Sequence, residues 1–411
     1  MIERADVVIV GAGQGGSQAA IALRQQKFTG SIVMIGDEPV LPYERPALSK
    51  EYLAGAKPID KLLLRPESYW KERAIDVRLG QRVVSVDASA RRVTTADGLS
   101  IEYGKLVWAT GGRPRRLACA GHHVAGLHYV RDLGDVDRMR QELETTSAAV
   151  IIGGGYIGLE AAAVLRDMGK QVTVLEAQQR VLARVAGEPL ARFFEAEHRA
   201  RGVEIRLSAE VVAIEEKDGR ACGVRLASGD VVPADLVVVG IGIDAAVDPL
   251  LAAGAEGSNG VVVELHGKTS LPDVYAIGDC AVHPNVHVGG RPLRLESIQN
   301  ANDQAAVVAK SIAGTLGPAE RYDAVPWFWS NQYDLRLQTV GLWLDHDEIV
   351  VRGDPATRSF SVVYLRRGRV IALDCVNLTK DYVQGKALIT KQCEVDRTKL
   401  ARADVPLKEL A

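Results

Sequence analysis

One short pattern occurs twice in this chain. Residues 7–16 read VVIVGAGQGG and residues 149–158 read AVIIGGGYIG. In each copy an apolar, β-branched run ends in G-x-G-x-x-G and continues into an alanine-rich stretch. A second apolar run follows, SIVMIGDE in the first copy and QVTVLEA in the second. This is the layout of a strand–helix–strand unit. The first glycine (Gly11, Gly153) permits the tight turn out of the strand. The second (Gly13, Gly155) lets a pyrophosphate approach the backbone, and the third (Gly16, Gly158) lets helix and strand pack closely. The helix start then offers free N–H groups and a partial positive charge to phosphates. Two such units predict an α/β protein with two Rossmann-like dinucleotide-binding domains.

The acid closing each second strand is expected to accept hydrogen bonds from ribose hydroxyls about 20 residues past the glycines. In the first copy that acid is Asp37, with Glu38 beside it; in the second it is Glu176. A carboxylate at Glu176 repels a 2′-phosphate, so NADH is the expected nicotinamide coenzyme. Arg180 and Arg184 follow closely and keep NADPH as the alternative.

Bulk numbers narrow the class further. At 411 residues the chain is too long for one ordinary core, and two or three domains are expected. A net charge of −2 gives no electrostatic case for nucleic acid. No apolar run approaches the ~20 residues of a membrane-spanning helix. The first strand, ADVVIVGAG, begins almost at once and leaves no room for a targeting peptide, so a cytoplasmic protein is expected. The five cysteines (Cys119, Cys222, Cys280, Cys375, Cys393) are scattered, so neither a C-x-x-C pair nor a metal site can be drawn.

With LVWATGGRP (106–114) and TSLPDVYAIGDCA (269–281) added, nearly the whole chain resembles the two-dinucleotide flavoprotein reductases. YERPALSK (43–50), VPWFWSNQYDLRLQTVG (325–341) and the closing DVPLKEL are similar to the oxygenase-coupled ferredoxin reductases within that group. The resemblance implies a discontinuous FAD domain over 1–112 and 246–322, an NAD domain over 113–245, and a smaller α+β domain over 323–411. It places the FAD at Gly11, Gly13, Gly15, Gly16, Asp37, Arg45, Lys50, Val83, Thr110, Gly111, Arg131, Asp279 and Ile298. The nicotinamide nucleotide falls to Gly153, Gly155, Ile157, Gly158, Glu160 and Glu176, while Tyr156 is expected to pack over the flavin or to fill the core. Lys50 is expected to tune the flavin and Glu160, two residues past the second fingerprint, to pair with it; these two are the candidate catalytic residues. Each could instead be an ordinary surface residue.

The stretch LPYERPALSK (41–50) lacks the reactive cysteines that many relatives carry there. Without a thiol relay, electrons are expected to leave singly for an external carrier, an acidic [2Fe–2S] ferredoxin serving a P450 or Rieske-type oxygenase. Rubredoxin as the acceptor, or a switch role like that of apoptosis-inducing-factor-like proteins, are the alternatives. Arg65, Lys310 and Arg336 are candidate docking cations. Trp327, Phe328 and Trp329 read either as a strand with two faces or, at Trp329, as a wall at the flavin. The last ninety residues or so alternate like strands, with GR and GD turns and a helical tail, KDYVQGKALITK.

Overall fold

The computed structural model describes residues 3–410, and they cluster into two compact units. The first comprises residues 1–44, 59–113 and 244–326; the second comprises 45–58, 114–243 and 327–411. The stretch 45–58, expected with the first domain, groups with the second unit.

The first unit is built on a sheet in the order Ile75–Arg78, Ile32–Ile35, Glu3–Val10, Ser100–Trp108, with Val274–Ala276 joining the far end of Ser100–Trp108. These pairings are all parallel. A parallel sheet is covered on both faces, so its strands carry continuous apolar runs rather than alternating ones. Val7, Ile9, Met34 and Val107 join one core with Ala19, Leu23, Trp70 and Ala305 from flanking helices. Val8, Val10, Ile35 and Trp108 join another with Val93, Tyr103, Val247 and Leu250.

The second unit repeats the order: Glu204–Leu207, Gln171–Glu176, Ala148–Ile152, Leu236–Val239, Leu127–Tyr129, again all parallel. Its carboxyl-terminal part is an antiparallel sheet ordered Trp327–Gln332, Leu335–Gly341, Arg369–Val376, Ser359–Arg366, Glu348–Asp354. The hairpin at Arg367 and Gly368 turns on two residues with φ of 53° and 73°, the left-handed pair that matches strand twist. The GD pair does not make a turn of its own: Gly353 and Asp354 finish a strand and the chain reverses over Pro355–Thr357. Helices Thr379–Lys391 and Arg397–Ala401 follow. Arg352, 2% exposed, ties them down. It pairs with Asp381 at 2.7 Å and donates to the carbonyls of Leu400, Arg402, Ala403 and Val405. A buried guanidinium is tolerated because nearly all of its donors are used.

Among the described residues no helix is long and apolar enough to cross a membrane, and no group of His, Cys, Asp or Glu is arranged to hold a metal ion.

Candidate nucleotide and redox sites

The two fingerprints close on themselves in the same way. Gly11 and Gly153 have φ of 107° and 109°, a region that only glycine enters cheaply. A Cβ at Gly11 would strike the Ala109 carbonyl, and one at Gly153 the Gly240 carbonyl. The neighbouring strand in each sheet, Ser100–Trp108 or Leu236–Val239, therefore returns its chain across the first glycine. The Thr110–Gly111 turn does this in the first unit and Gly240–Ile241–Gly242 does it in the second. Thr110 donates its hydroxyl proton to the Ala246 carbonyl at 2.7 Å. A Cβ on Gly16 would run into the Gly11 carbonyl oxygen and one on Gly158 into that of Gly153. A Cβ on Gly15 would lie 3.5 Å from Ile277 and 3.6 Å from Ala301, ordinary contact distances.

The helix starts suit phosphates. Helices Gln14–Gln25 and Tyr156–Asp167 are N-capped by Gly13 and Gly155, and neither has a side-chain cap. Their first N–H groups have no side-chain acceptor. Beside the first start the buried Ser17 hydroxyl lacks a partner; the Tyr156 hydroxyl also lacks one, but it is buried near Asp374 and Glu160 and is no phosphate donor. A Cβ at Gly155 would meet nothing within 4 Å. These donors and this space fit the dinucleotides that the spacing implies. A Gly155→Ala variant is expected to fold with unchanged melting temperature while its NADH dissociation constant rises by tenfold or more. Gly158→Ala is expected to lose several °C instead. Calorimetry and coenzyme titration on both separate the two roles.

The acids differ between copies. Glu176 lies across its fingerprint, accepting the Gly154 N–H at 2.7 Å and the Gln178 N–H at 2.8 Å. In strand register Ile35 sits beside Val10 as Leu175 sits beside Ile152. The place of Glu176 is therefore held by Gly36, and that of Gly154 by Ala12. A Cβ on Gly36 would lie 2.7 Å from the Ala12 methyl. The acid of the first copy is displaced along the chain. Asp37 is exposed and pairs with Arg82 at 3.1 Å, while Glu38 accepts the Tyr43 hydroxyl at 2.6 Å.

In the second unit Lys50 and Glu160 come together although 110 residues apart. The short helix Arg45–Ala47 and the turn after it bring Ser49 and Lys50 to the first turn of helix Tyr156–Asp167. Lys50 Nζ and Ser49 Oγ each lie 2.7 Å from Glu160 Oε2, and Ser330 Oγ lies 2.7 Å from Oε1. The pair is 13% and 4% exposed, so the ammonium and carboxylate offset each other out of water. Ser49 and Ser330 carry no spacing signal, which is why they escape a sequence reading. Arg45 donates to the Arg131 carbonyl at 2.8 Å, which occupies part of its guanidinium.

Trp327–Gln332 alternates. Phe328, Ser330 and Gln332 face inward, with the Phe328 ring 4.8 Å from that of Tyr156; Trp327 and Trp329 stack at 5.7 Å on the other face, both half-buried. Ile157 is 46% exposed inside the fingerprint. In the first unit Val83 is buried, Ile298 opens helix Ile298–Ala313, and Asp279 sits in the Gly278–Cys280 turn after strand Val274–Ala276. Of the docking candidates, Lys310 is paired with Glu320 at 2.6 Å, which leaves it the weakest of the three. The cysteines are all free thiols. Burial pushes Cys280 up to about 11 and Cys375 higher still, so neither ionises near neutrality.

Residues 5–305 match the pyridine nucleotide-disulphide oxidoreductase family, and 327–411 match the reductase C-terminal domain. The chain belongs to that oxidoreductase family. It is an FAD- and nicotinamide-dependent redox enzyme. The ferredoxin reductase subunit of the 5,5′-dehydrodivanillate O-demethylase of a Sphingobium species is 59% identical over 98% of both chains. A ferredoxin–NAD(P)(+) reductase of a Sphingomonas species is 59% identical over 95% of this chain and 94% of its own. The covalent putidaredoxin reductase–putidaredoxin complex superposes with a TM-score of 0.94 at 38% identity, covering 99% of this chain and 98% of that one.

Proposed function

We propose that this chain is a cytoplasmic NADH:ferredoxin reductase that supplies an oxygenase system through a [2Fe–2S] ferredoxin. The observation that carries the reading lies in residues 45–50. There the stretch that would have to hold a redox thiol holds Ser49 and Lys50 instead, both bonded to Glu160. No dithiol stands ready to take an electron pair onward. Bound FAD supplies the conversion that is needed, accepting a hydride and releasing electrons one at a time.

The chain's own residues do the rest. The Gly13 helix start and the Ser17 hydroxyl hold the FAD pyrophosphate; Asp279, Val83, Arg131 and Ile298 contribute further contacts. Gly155 admits the coenzyme pyrophosphate, and Glu176 takes its ribose. Arg180 is committed to the Ala183 and Ala186 carbonyls at 3.1 and 2.7 Å, so it is not free to greet a 2′-phosphate. Arg184 is exposed and reaches only the Ile241 carbonyl, at 3.4 Å. This favours NADH over NADPH. Lys50 presents a fixed positive charge to the flavin, and Glu160 fixes its position. Docking of an acidic ferredoxin draws on exposed cations such as Arg65 and Arg336.

Anaerobic stopped-flow mixing checks the reading. NADH should bleach the flavin, with kcat/KM at least about tenfold above that for NADPH. A [2Fe–2S] ferredoxin should then restore the flavin at a rate that falls with added salt. Recovery by rubredoxin alone would reassign the acceptor. Recovery by neither, after bleaching, would replace the shuttle with a switch.

A further inference from the structure

A file of buried polar side chains leads away from Glu160 within the second unit. Ser330 Oγ is 2.7 Å from Glu160 Oε1, and Gln332 Nε2 is 3.2 Å from Ser330 Oγ. His198 Nε2 is 2.8 Å from Gln332 Oε1, and the Tyr333 hydroxyl is 3.0 Å from His198 Nδ1. Ser330, Gln332 and His198 are at most 1% exposed, and Tyr333 is half-buried. Ser330 and Gln332 are alternate residues on one face of strand Trp327–Gln332, while His198 comes from helix Glu188–Ala200. The charged groups nearest His198 are Arg201 and Glu197. Arg201 also lies over the Tyr333 ring, 4.4 Å from its centroid.

The direction of the bonds follows from two facts, the Glu160 carboxylate and a neutral imidazole at His198, which burial favours. A carboxylate only accepts. Ser330 must therefore give its proton to Glu160, and its oxygen must accept from Gln332. That turns the amide so that its oxygen faces His198, which must carry its proton on Nε2. Nδ1 is then an acceptor and takes the Tyr333 proton. Four hydrogen bonds point the same way, toward the carboxylate that Lys50 and Ser49 approach from the other side.

We propose that Tyr333, His198, Gln332 and Ser330 form a one-way hydrogen-bond chain that orients the Glu160 carboxylate toward Lys50, with Gln332 as the positioning residue that sets its direction. An amide in the middle suits orientation, because Gln332 cannot pass a proton along without an unfavourable tautomer. Aligned bonds of this kind reinforce one another where water is excluded. The bearing of this chain on hydride transfer rests on the functional reading above; its direction does not.

The test has two parts. In the full-length, flavin-loaded protein labelled with 15N-histidine, His198 is assigned by the loss of its signal in His198→Gln. It should be the neutral Nε2–H form at pH 7 and stay neutral to about pH 5, since burial pulls it down to about 4. A proton on Nδ1 would reverse the chain and overturn the proposal without any variant. In the second part Gln332→Met and Ser330→Ala are compared with the wild type. Each should slow flavin reduction by NADH about tenfold, the effect of one oriented hydrogen bond, with the NADH dissociation constant unchanged. The flavin midpoint potential should move in the same direction in both variants. A merely structural role would lower the melting temperature and leave the potential and the His198 tautomer alone. Wild-type rate and potential in Gln332→Met would sink the proposal. If NADH fails to reduce even the wild type, the functional reading falls, and the histidine spectrum still decides the direction of the chain.

Discussion

A Lys50→Met variant is expected to reduce its flavin with NADH about a hundredfold more slowly than the wild type and to melt several °C lower. Two separate causes produce the two losses. Removing the ammonium leaves the Glu160 carboxylate, 4% exposed, with the Ser49 and Ser330 hydroxyls as neutral donors. Breaking a buried pair from one side costs about 3–5 kcal/mol. On the proposed reading, in which Lys50 presents its charge to the flavin, removing it costs about 2.7–4 kcal/mol in rate. Glu160→Gln should be milder for stability, since Lys50 is 13% exposed and can turn its ammonium toward water. The double variant should recover part of the stability but none of the rate, a non-additivity that thermal melts and anaerobic stopped-flow read independently. Wild-type reduction rates in Lys50→Met would remove it from the redox machinery.

The second large effect lies at Asp374, on the inner face of the carboxyl-terminal sheet. Burial pushes its carboxyl up to about 7, against a hydrogen bond donated by Tyr364, whose hydroxyl in turn accepts the Gly187 N–H at 3.0 Å. A folded-state value above the unfolded 3.8 means that the native state keeps a proton the unfolded chain has released. Stability tied to Asp374 is full below pH 3.8 and is lost as pH rises to 7. Asp374→Asn removes that dependence. The variant should gain on the wild type steadily from about pH 4, level off above about pH 7, and lead there by a few kcal/mol. His198 and His283, both pulled down to about 4 by burial, act in the opposite sense, losing their stabilisation as pH falls below 6.5. They are common to both proteins and cancel in the difference. Urea melts between pH 4 and 9 give the gap directly, and a gap independent of pH would rule out the buried acid as its cause.

What could be read from the residues depended on whether function leaves a spacing. The fingerprints do: the turn at Gly11 and the contact of Gly16 with the Gly11 carbonyl are short-range demands, met within six residues. The parallel sheets follow from apolar runs too continuous for a one-sided strand. Ser330 has no such mark, because its meaning comes from a carboxylate 170 residues earlier. Gly240 was legible in principle: VVVGIG repeats the strand-and-turn of LVWATGG, and only the fold shows both crossing a fingerprint glycine. The grouping of 45–58 with the second unit was not, since nothing local in YERPALSK names the unit it packs with. The displaced acid of the first copy needed register, because a shift of one residue is invisible in a pattern that tolerates variable spacing.

That displacement constrains how the two halves of the chain can have diverged. Gly36 faces the Ala12 methyl where Glu176 faces Gly154. Placing an acid at 36 while Ala12 remains forces two carbons to within 2.7 Å, and placing a methyl at 154 brings it to 3.0 Å from the Glu176 carboxylate. The larger residue of each pair is acceptable only opposite a glycine. Passing from one identity to the other is therefore constrained in order: Ala12 must give way to glycine before an acid can enter at 36, and Glu176 must be lost before a methyl can enter at 154.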